Sequence, residues 1–291
     1  MSAHPSSLRH RGRRPLVAIT ETGEGEPLVL LHGLGTTRQI WSLVTEPLAH
    51  TRRVVTLDLP GFGESAPVGE GFELAEVTDR LARGLAAQHV TAPFDLVGHS
   101  LGGAVALTLA AQRPNLVRRL ILVAPAGLQR RRPPLPGALL GQGASGLFAA
   151  RRRLIALSDK PWGRRVLLAF AAADGATLSP DQARMMVEAS APAQRIAQAT
   201  ATIAQIDLQP LLRDTPAPLG LIWGRQDRAV PVRLADEILV QRPDAVLEVI
   251  DWTGHVPMVE RPDSFALALD GVLRRLDKHA TSSRASGRTT P

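Results

Sequence analysis

Ser100 stands in Gly98-His99-Ser100-Leu101-Gly102, a G-x-S-x-G pentapeptide. A serine hydroxyl becomes a useful nucleophile when a base removes its proton and an acid orients that base. The body of the chain holds five histidines, His32, His50, His89, His99 and His255. His255 lies in Thr253-Gly254-His255-Val256, a turn between the last predicted strand and the last predicted helix. Asp227 lies in Trp223-Gly224-Arg225-Gln226-Asp227, directly after the penultimate predicted strand. The chain order is therefore Ser, Asp, His, the order found where the serine sits on a strand-turn-helix elbow of an open α/β sheet. Acyl transfer is the chemistry this set could perform, with Ser100 as nucleophile, His255 as general base and Asp227 as orienting acid. His99 adjoins the serine, but on a sharp turn its side chain points elsewhere, so it reads as packed and hydrogen-bonded. His32 reads as a brace for the loop after its strand.

Acyl transfer also needs donors where negative charge develops. The backbone N–H of Leu101 opens a predicted helix and points at that position. A second donor is expected from His32-Gly33-Leu34-Gly35, where small neighbours let the N–H of Leu34 approach. A rival acid would sit at the end of the strand after the nucleophile helix. That position reads Ala124-Pro125, without a carboxylate.

These residues must be held by elements of defined order. Short apolar runs predict strands at 16–20, 27–31, 53–57, 94–97, 120–123, 219–223 and 246–250. Near-continuous apolar runs of this length fit strands covered on both faces. Helical patterns occupy about 74–88, 101–112, 232–239 and 262–277. The alternation implies an α/β fold, a mostly parallel central sheet flanked by helices. Between residues 125 and 218 no strand is predicted, and helices are expected at 147–157, 162–172, 180–189 and 192–206. Ser179, Pro180 and Gln182 carry the start signal of the third. The stretch 130–146, rich in Pro, Gly and Arg, reads as a mobile loop leading into this block. The expected organisation is a flexible basic tail over 1–14, a core over 15–125 and 216–279, a helical cap over 126–215, and a disordered tail over 280–291. No internal repeat is present.

Composition removes several classes. The 291 residues include no cysteine, which excludes disulfides, thiolate metal ligands and a cysteine nucleophile. Thirty-four basic residues against 27 acidic ones give a net charge of +7, and Lys160 and Lys278 are the only lysines. Much of the excess lies near the ends, at Arg9, Arg11, Arg13, Arg14, Arg284 and Arg288, and tyrosine is absent. With no aromatic platform between the arginines, no nucleic-acid partner is expected. No apolar stretch reaches membrane-spanning length, and the first 15 residues lack the apolar core of a secretory signal. The expected location is cytoplasmic, the expected state a monomer or homodimer, and no cofactor or metal is expected.

Taken together the motifs resemble the α/β-hydrolase superfamily over roughly residues 16–278. The resemblance rests on the elbow, on His32-Gly33-Leu34-Gly35, on Asp58-Leu59-Pro60-Gly61-Phe62-Gly63-Glu64-Ser65, and on the Asp227 and His255 blocks. Trp41 fits an aromatic often found a few residues beyond the oxyanion loop. The resemblance implies an α/β-hydrolase fold with an inserted helical cap roofing the pocket. It also implies an acyl-enzyme on Ser100, resolved by water with help from His255. Serine at position 100 argues against haloalkane dehalogenases and epoxide hydrolases, which carry aspartate there. His99 and Val256 depart from the Gly-Asn-Ser elbow and the post-histidine tryptophan of C–C bond hydrolases. Leu101 departs from the methionine usual in cofactor-free haloperoxidases and perhydrolases.

The leading expectation is a serine-dependent hydrolase cleaving carboxylic esters of small to medium apolar substrates. The alternatives are a C–C bond hydrolase of a ring-cleavage product, a lactonase, or a ligand-binding protein on a hydrolase scaffold. Expected pocket lining comprises Trp41, Leu139, Leu140, Leu147, Phe148, Phe170, Met185, Met186 and Val256 around a small-molecule substrate. No convergent charged set is visible in the cap, and Arg130 to Arg132 read as a solvated loop.

Overall fold

The computed structural model describes residues 14–129, 136–190 and 193–286. Seven strands form one sheet: β1 (Ile19–Thr22), β2 (Pro27–Leu31), β3 (Arg53–Leu57), β4 (Phe94–His99), β5 (Val117–Val123), β6 (Leu219–Gly224) and β7 (Val246–Ile250). Their order is β1-β3-β2-β4-β5-β6-β7, and only the β1–β3 pair is antiparallel. The first strand lies three residues later than expected. It pairs Ile19 with Leu57 and Thr22 with Val54, at the edge of the sheet. There it needs only one apolar face, which the Leu16–Val17–Ala18 run had obscured.

Alternation along the strands sends successive side chains to opposite faces. Leu28, Leu30, Val54, Val97, Ile121 and Ile222 pack on one face with helices α1 (Ser42–Ala49), α10 (Pro257–Glu260) and α11 (Pro262–Ser286). Val29, Leu31, Val55, Leu96, Leu120 and Leu221 pack on the other with α2 (Leu74–Ala87), α3 (Leu101–Gln112) and α9 (Arg233–Gln241). The sheet is thus covered on both sides, as its uninterrupted apolar strands require.

At the strand end remote from Ser100, Asp95 is fully buried and bonded by three arginines. Arg52 reaches it at 3.0 Å, Arg118 at 2.9 Å and Arg119 at 2.5 Å. Burial opposes its charge, but the hydrogen bonds from Arg119 and Arg118 outweigh that and hold the carboxyl below its usual pKa.

Helices inserted between β5 and β6 form the cap: α4 (Gly137–Arg153), α5 (Pro161–Leu167), α6 (Pro180–Glu188), α7 (Ile196–Gln205) and α8 (Gln209–Asp214). The capping box on α6 is present, with Ser179 and Gln182 each bonding the other's backbone N–H. The expected loop over 130–146 is corrected in its second half, because residues 137–146 are the first turns of α4. Its glycines are contact points rather than breakers. A Cβ at Gly137 would stand 2.9 Å from the Ala201 carbonyl oxygen, and one at Gly141 would strike Ala197, so α4 lies close against α7. Residues 130–135, including Arg130 to Arg132, lie outside the described residues, as do 1–13 of the expected basic tail.

The last helix also differs from expectation. α11 continues to Ser286, past the boundary at 279, since neither glycine nor proline occurs between residue 279 and Gly287. Residues 287–291 lie outside the described residues. Among the described residues no helix is long and apolar enough to cross a membrane.

Candidate active site

Strand β4 ends at His99 and α3 begins at Leu101, leaving Ser100 as the single residue of the turn. Its backbone has φ +51° and ψ −114°, in the region that disfavours side chains. Such strain costs about 1–3 kcal/mol and persists only where neighbours over-determine it. Here the Ser100 N–H donates to Val123 at 3.0 Å, and its carbonyl accepts from Gly103 at 2.9 Å and Ala126 at 3.0 Å. The flanking glycines are required by close approach. A Cβ at Gly102 would lie 2.5 Å from the His32 carbonyl oxygen, and one at Gly98 would lie 2.7 Å from Ala106 Cβ.

The loops after β6 and β7 bring Asp227 and His255 together. His255 Nδ1 donates to Asp227 Oδ2 at 2.7 Å. The other carboxylate oxygen accepts from the N–H groups of Ala229 and Val230, each at 2.8 Å. Trp223 Nε1 donates to the Val230 carbonyl at 2.7 Å and closes the same turn. Asp227 is therefore saturated and buried. With Nδ1 committed to Asp227, Nε2 is the ring nitrogen of His255 left to accept a proton.

The backbone of His255 is held from two sides. Its N–H donates to Ala171 of the cap at 2.9 Å. Its carbonyl accepts from His99 Nε2 at 2.8 Å, and the two rings lie 4.7 Å apart. Burial, followed by the proximity of His255, pushes the His99 pKa well below the usual histidine value, so His99 remains neutral. Glu260 adds a further clamp, accepting from Gly254 N–H at 2.8 Å and from Ala173 N–H of the cap at 2.7 Å. Burial raises its pKa despite these bonds.

The loop after β2 is fixed by its own imidazole. His32 Nε2 accepts from Leu59 N–H at 2.9 Å, and Thr36 Oγ1 donates to Gly33 O at 2.9 Å. Asp58 supports this region from the next turn, accepting from Arg38 N–H at 2.8 Å and Glu64 N–H at 2.9 Å while pairing with the Arg38 guanidinium. Leu34 and Leu101 border a cavity with Ser100, and Leu101 is the first helical residue, whose N–H has no intrahelical acceptor.

Two cavities meet at Ser100. One, of about 430 Å³, is lined by Leu34, Leu101, Leu140, Ile203 and Ile206, with Gln129 and Thr200 as polar neighbours. The other, of about 320 Å³, contains His255 and is lined by Leu147, Phe148, Phe170, Met186 and Val256. Three expected lining residues lie elsewhere. Trp41 is fully buried beneath the site, edge-on to His99 and packed on Phe265. Leu139 is exposed, and Met185 borders a separate surface groove with Arg38 and Arg184. Adjacent helical residues diverge by about 100°, so only one of each Leu139/Leu140 and Met185/Met186 pair faces the cavity.

Residues not anticipated from the sequence include Arg151, which borders the second cavity, and Glu260. Arg151 begins the run Arg151-Arg152-Arg153 at the end of α4, a pattern that reads as cations complementing the helix dipole. Among the described residues no group of three or more His, Asp or Glu side chains is disposed to hold a metal ion.

A serine on a strained strand-helix elbow and a histidine–aspartate pair on the loops after the last two strands, under a helical cap, define a capped hydrolase of the α/β class. The chain belongs to the Alpha/beta hydrolase family, which it matches over residues 28–268. It is similar to the pimeloyl-[acyl-carrier protein] methyl ester esterase of Neisseria meningitidis serogroup B, with 31% identity over 81% of this chain and 88% of that protein. The enzyme of the same description from Aromatoleum aromaticum is 32% identical over 85% of this chain and 98% of its own length. Among solved structures, a thermophilic esterase from Thermogutta terrifontis superposes with a TM-score of 0.73 and 26% identity, covering 89% of this chain and 93% of the esterase.

Proposed function

We propose that this protein hydrolyses carboxylic esters with a small to medium apolar acyl group through an acyl-enzyme on Ser100, using His255 as base and Asp227 as its orienting acid. The observation that carries the reading is the 2.7 Å His255–Asp227 bond on the wall of the cavity into which strained Ser100 opens. The similarity to methyl ester esterases supports the same class of bond.

In the proposed reaction His255 Nε2 takes the Ser100 hydroxyl proton as Oγ attacks the ester carbonyl carbon. The resulting oxyanion accepts from the N–H groups of Leu34 and Leu101. Collapse breaks the bond to the alkoxy oxygen, which receives the proton from His255 and departs as the alcohol. Water then attacks the acyl-serine, losing a proton to His255, and the acid is released with Ser100 restored. His255 borders only the smaller cavity, so the alcohol departs there and the acyl chain occupies the larger, mainly apolar one.

The test is hydrolysis of p-nitrophenyl esters across acyl chains from two to sixteen carbons by wild type and Ser100→Ala. The expected result is an optimum at short or medium chains that vanishes in the variant. Near wild-type turnover by folded S100A would remove Ser100 from the mechanism.

A further inference from the structure

We propose that Arg151 binds an anionic group, a carboxylate or a phosphate, on the alcohol half of the ester, making negatively charged leaving groups the preferred ones. This rests on the serine-esterase reading above and specifies its substrate class.

Arg151 lies in the last turn of α4 and borders the cavity that also holds Ser100 and His255. Its guanidinium carbon sits 5.5 Å from the centre of the Phe148 ring. That ring is pressed onto the loop after β2, where a Cβ on Gly35 would collide with it. The cation is therefore placed by a ring that itself touches the proposed oxyanion loop. Arg151 Nε is buried without a hydrogen-bond partner, and among the described residues no carboxylate pairs with the guanidinium.

The buried arginines of this protein, by contrast with half-buried Arg151, are met by partners. Arg119 is met by Asp95 and the Leu273 carbonyl, and Arg242 by Asp244 and the carbonyls of Leu212, Thr215 and Ala217. Arg164 and Arg195 also have an unbonded Nε, but their terminal nitrogens donate to carbonyls. Burial alone lowers the Arg151 pKa from its ordinary value. A guanidinium nonetheless stays charged in a protein. An unpaired charge in an apolar pocket is unfavourable, and an incoming anion supplies what the fold withholds. Because His255 borders this cavity and not the larger one, the anion belongs to the departing alcohol rather than to the acyl chain.

The experiment compares 4-carboxyphenyl butyrate with 4-carbamoylphenyl butyrate, which share an acyl group and nearly a shape but differ in charge. Wild type is expected to favour the carboxylate by about tenfold in kcat/KM, mainly through KM, as one charge-assisted hydrogen bond would give. Added salt should erode the preference. Arg151→Gln should bring the ratio close to one, the carboxylate ester losing more than the neutral ester, and Arg151→Lys should retain part of the preference. A third ester, 4-(phosphonooxy)phenyl butyrate, separates the sources: the anion whose turnover depends more strongly on Arg151 is the one the site is built for. An equal ratio in wild type and R151Q, no charge preference in wild type, or equal loss on both esters in R151Q would overturn the proposal. Calorimetric binding of 4-hydroxybenzoate keeps the two readings apart. Binding abolished by R151Q in a protein that turns over no ester would retain the anion site and remove the esterase reading. Ester turnover with R151Q-insensitive binding would do the reverse.

Discussion

His99, the residue before Ser100, donates its Nε2 proton to the backbone carbonyl of His255 at 2.8 Å. The two loops that carry Ser100 and His255 are thereby joined by one side chain, on a ring kept neutral by burial. Because a carbonyl can only accept, the bond also fixes the His99 tautomer.

Removing this tie should misplace His255. His99→Ala is expected to lower kcat by about tenfold or more, since small displacements of reacting groups have large effects on rate. KM should change little. Steady-state kinetics on the best p-nitrophenyl ester provide the check, and an unchanged kcat would show that His255 is held adequately without the His99 bond.

The strain at Ser100 predicts a trade between stability and chemistry. Ser100→Gly should be inactive yet more stable than Ser100→Ala by about 1 kcal/mol, because glycine adopts φ +51° freely. Urea unfolding of the two inactive variants isolates this backbone contribution. Equal midpoints would mean that the elbow is relaxed.

Asp227→Asn retains one oxygen for Ala229 and Val230 but presents an amide where His255 Nδ1–H needs an acceptor. The imidazole should then turn or change tautomer, and kcat should fall by roughly 10⁴-fold, the loss known for the equivalent change in a serine protease. Circular dichroism should remain that of the wild type. A fall of less than tenfold in folded D227N would count against Asp227 as the orienting acid.

At the opposite end of the sheet, Asp95 links acidity to stability. A carboxylate with a folded pKa below its unfolded value stabilises above the unfolded value, about 3.9, and loses that contribution as pH falls through the folded one. Asp95→Asn should flatten this acid limb of a stability-against-pH curve. At pH 7 it should also cost about 3–5 kcal/mol, because Arg119 would be left buried without its main counter-charge. Urea midpoints measured from about pH 3 to pH 7 test both statements.

The elbow was legible in the sequence because local constraints coincide there: an apolar strand, a glycine on each side of the serine and an immediate helix. The Asp227 and His255 turns were legible through their places after predicted strands. The first half of α4 was not, because the glycines that admit α7 look like loop formers until the neighbouring helix is known. Arg151 was hidden for a related reason. In a run of three arginines at a helix end, only the fold distinguishes the one turned inward from those left outside. Leu139 and Met185 fail the same test of helical phase, and Trp41 is drawn beneath the site by Phe265 and His99.

The bond from His255 N–H to the Ala171 carbonyl, and that from Ala173 N–H to Glu260, which also holds Gly254, bear on how such a protein can be remodelled. Segment 171–173 belongs by sequence to the cap but mechanically to the His255 loop, and Gly254 is packed so closely that a Cβ there would lie 2.6 Å from the Ala173 nitrogen. A cap transplanted from a relative would carry its own geometry into the placement of His255 unless this tripeptide stayed with the host. Helices α4 and α7, which pair with each other, form the portion that can be exchanged to change what is bound while leaving the support of the base in place.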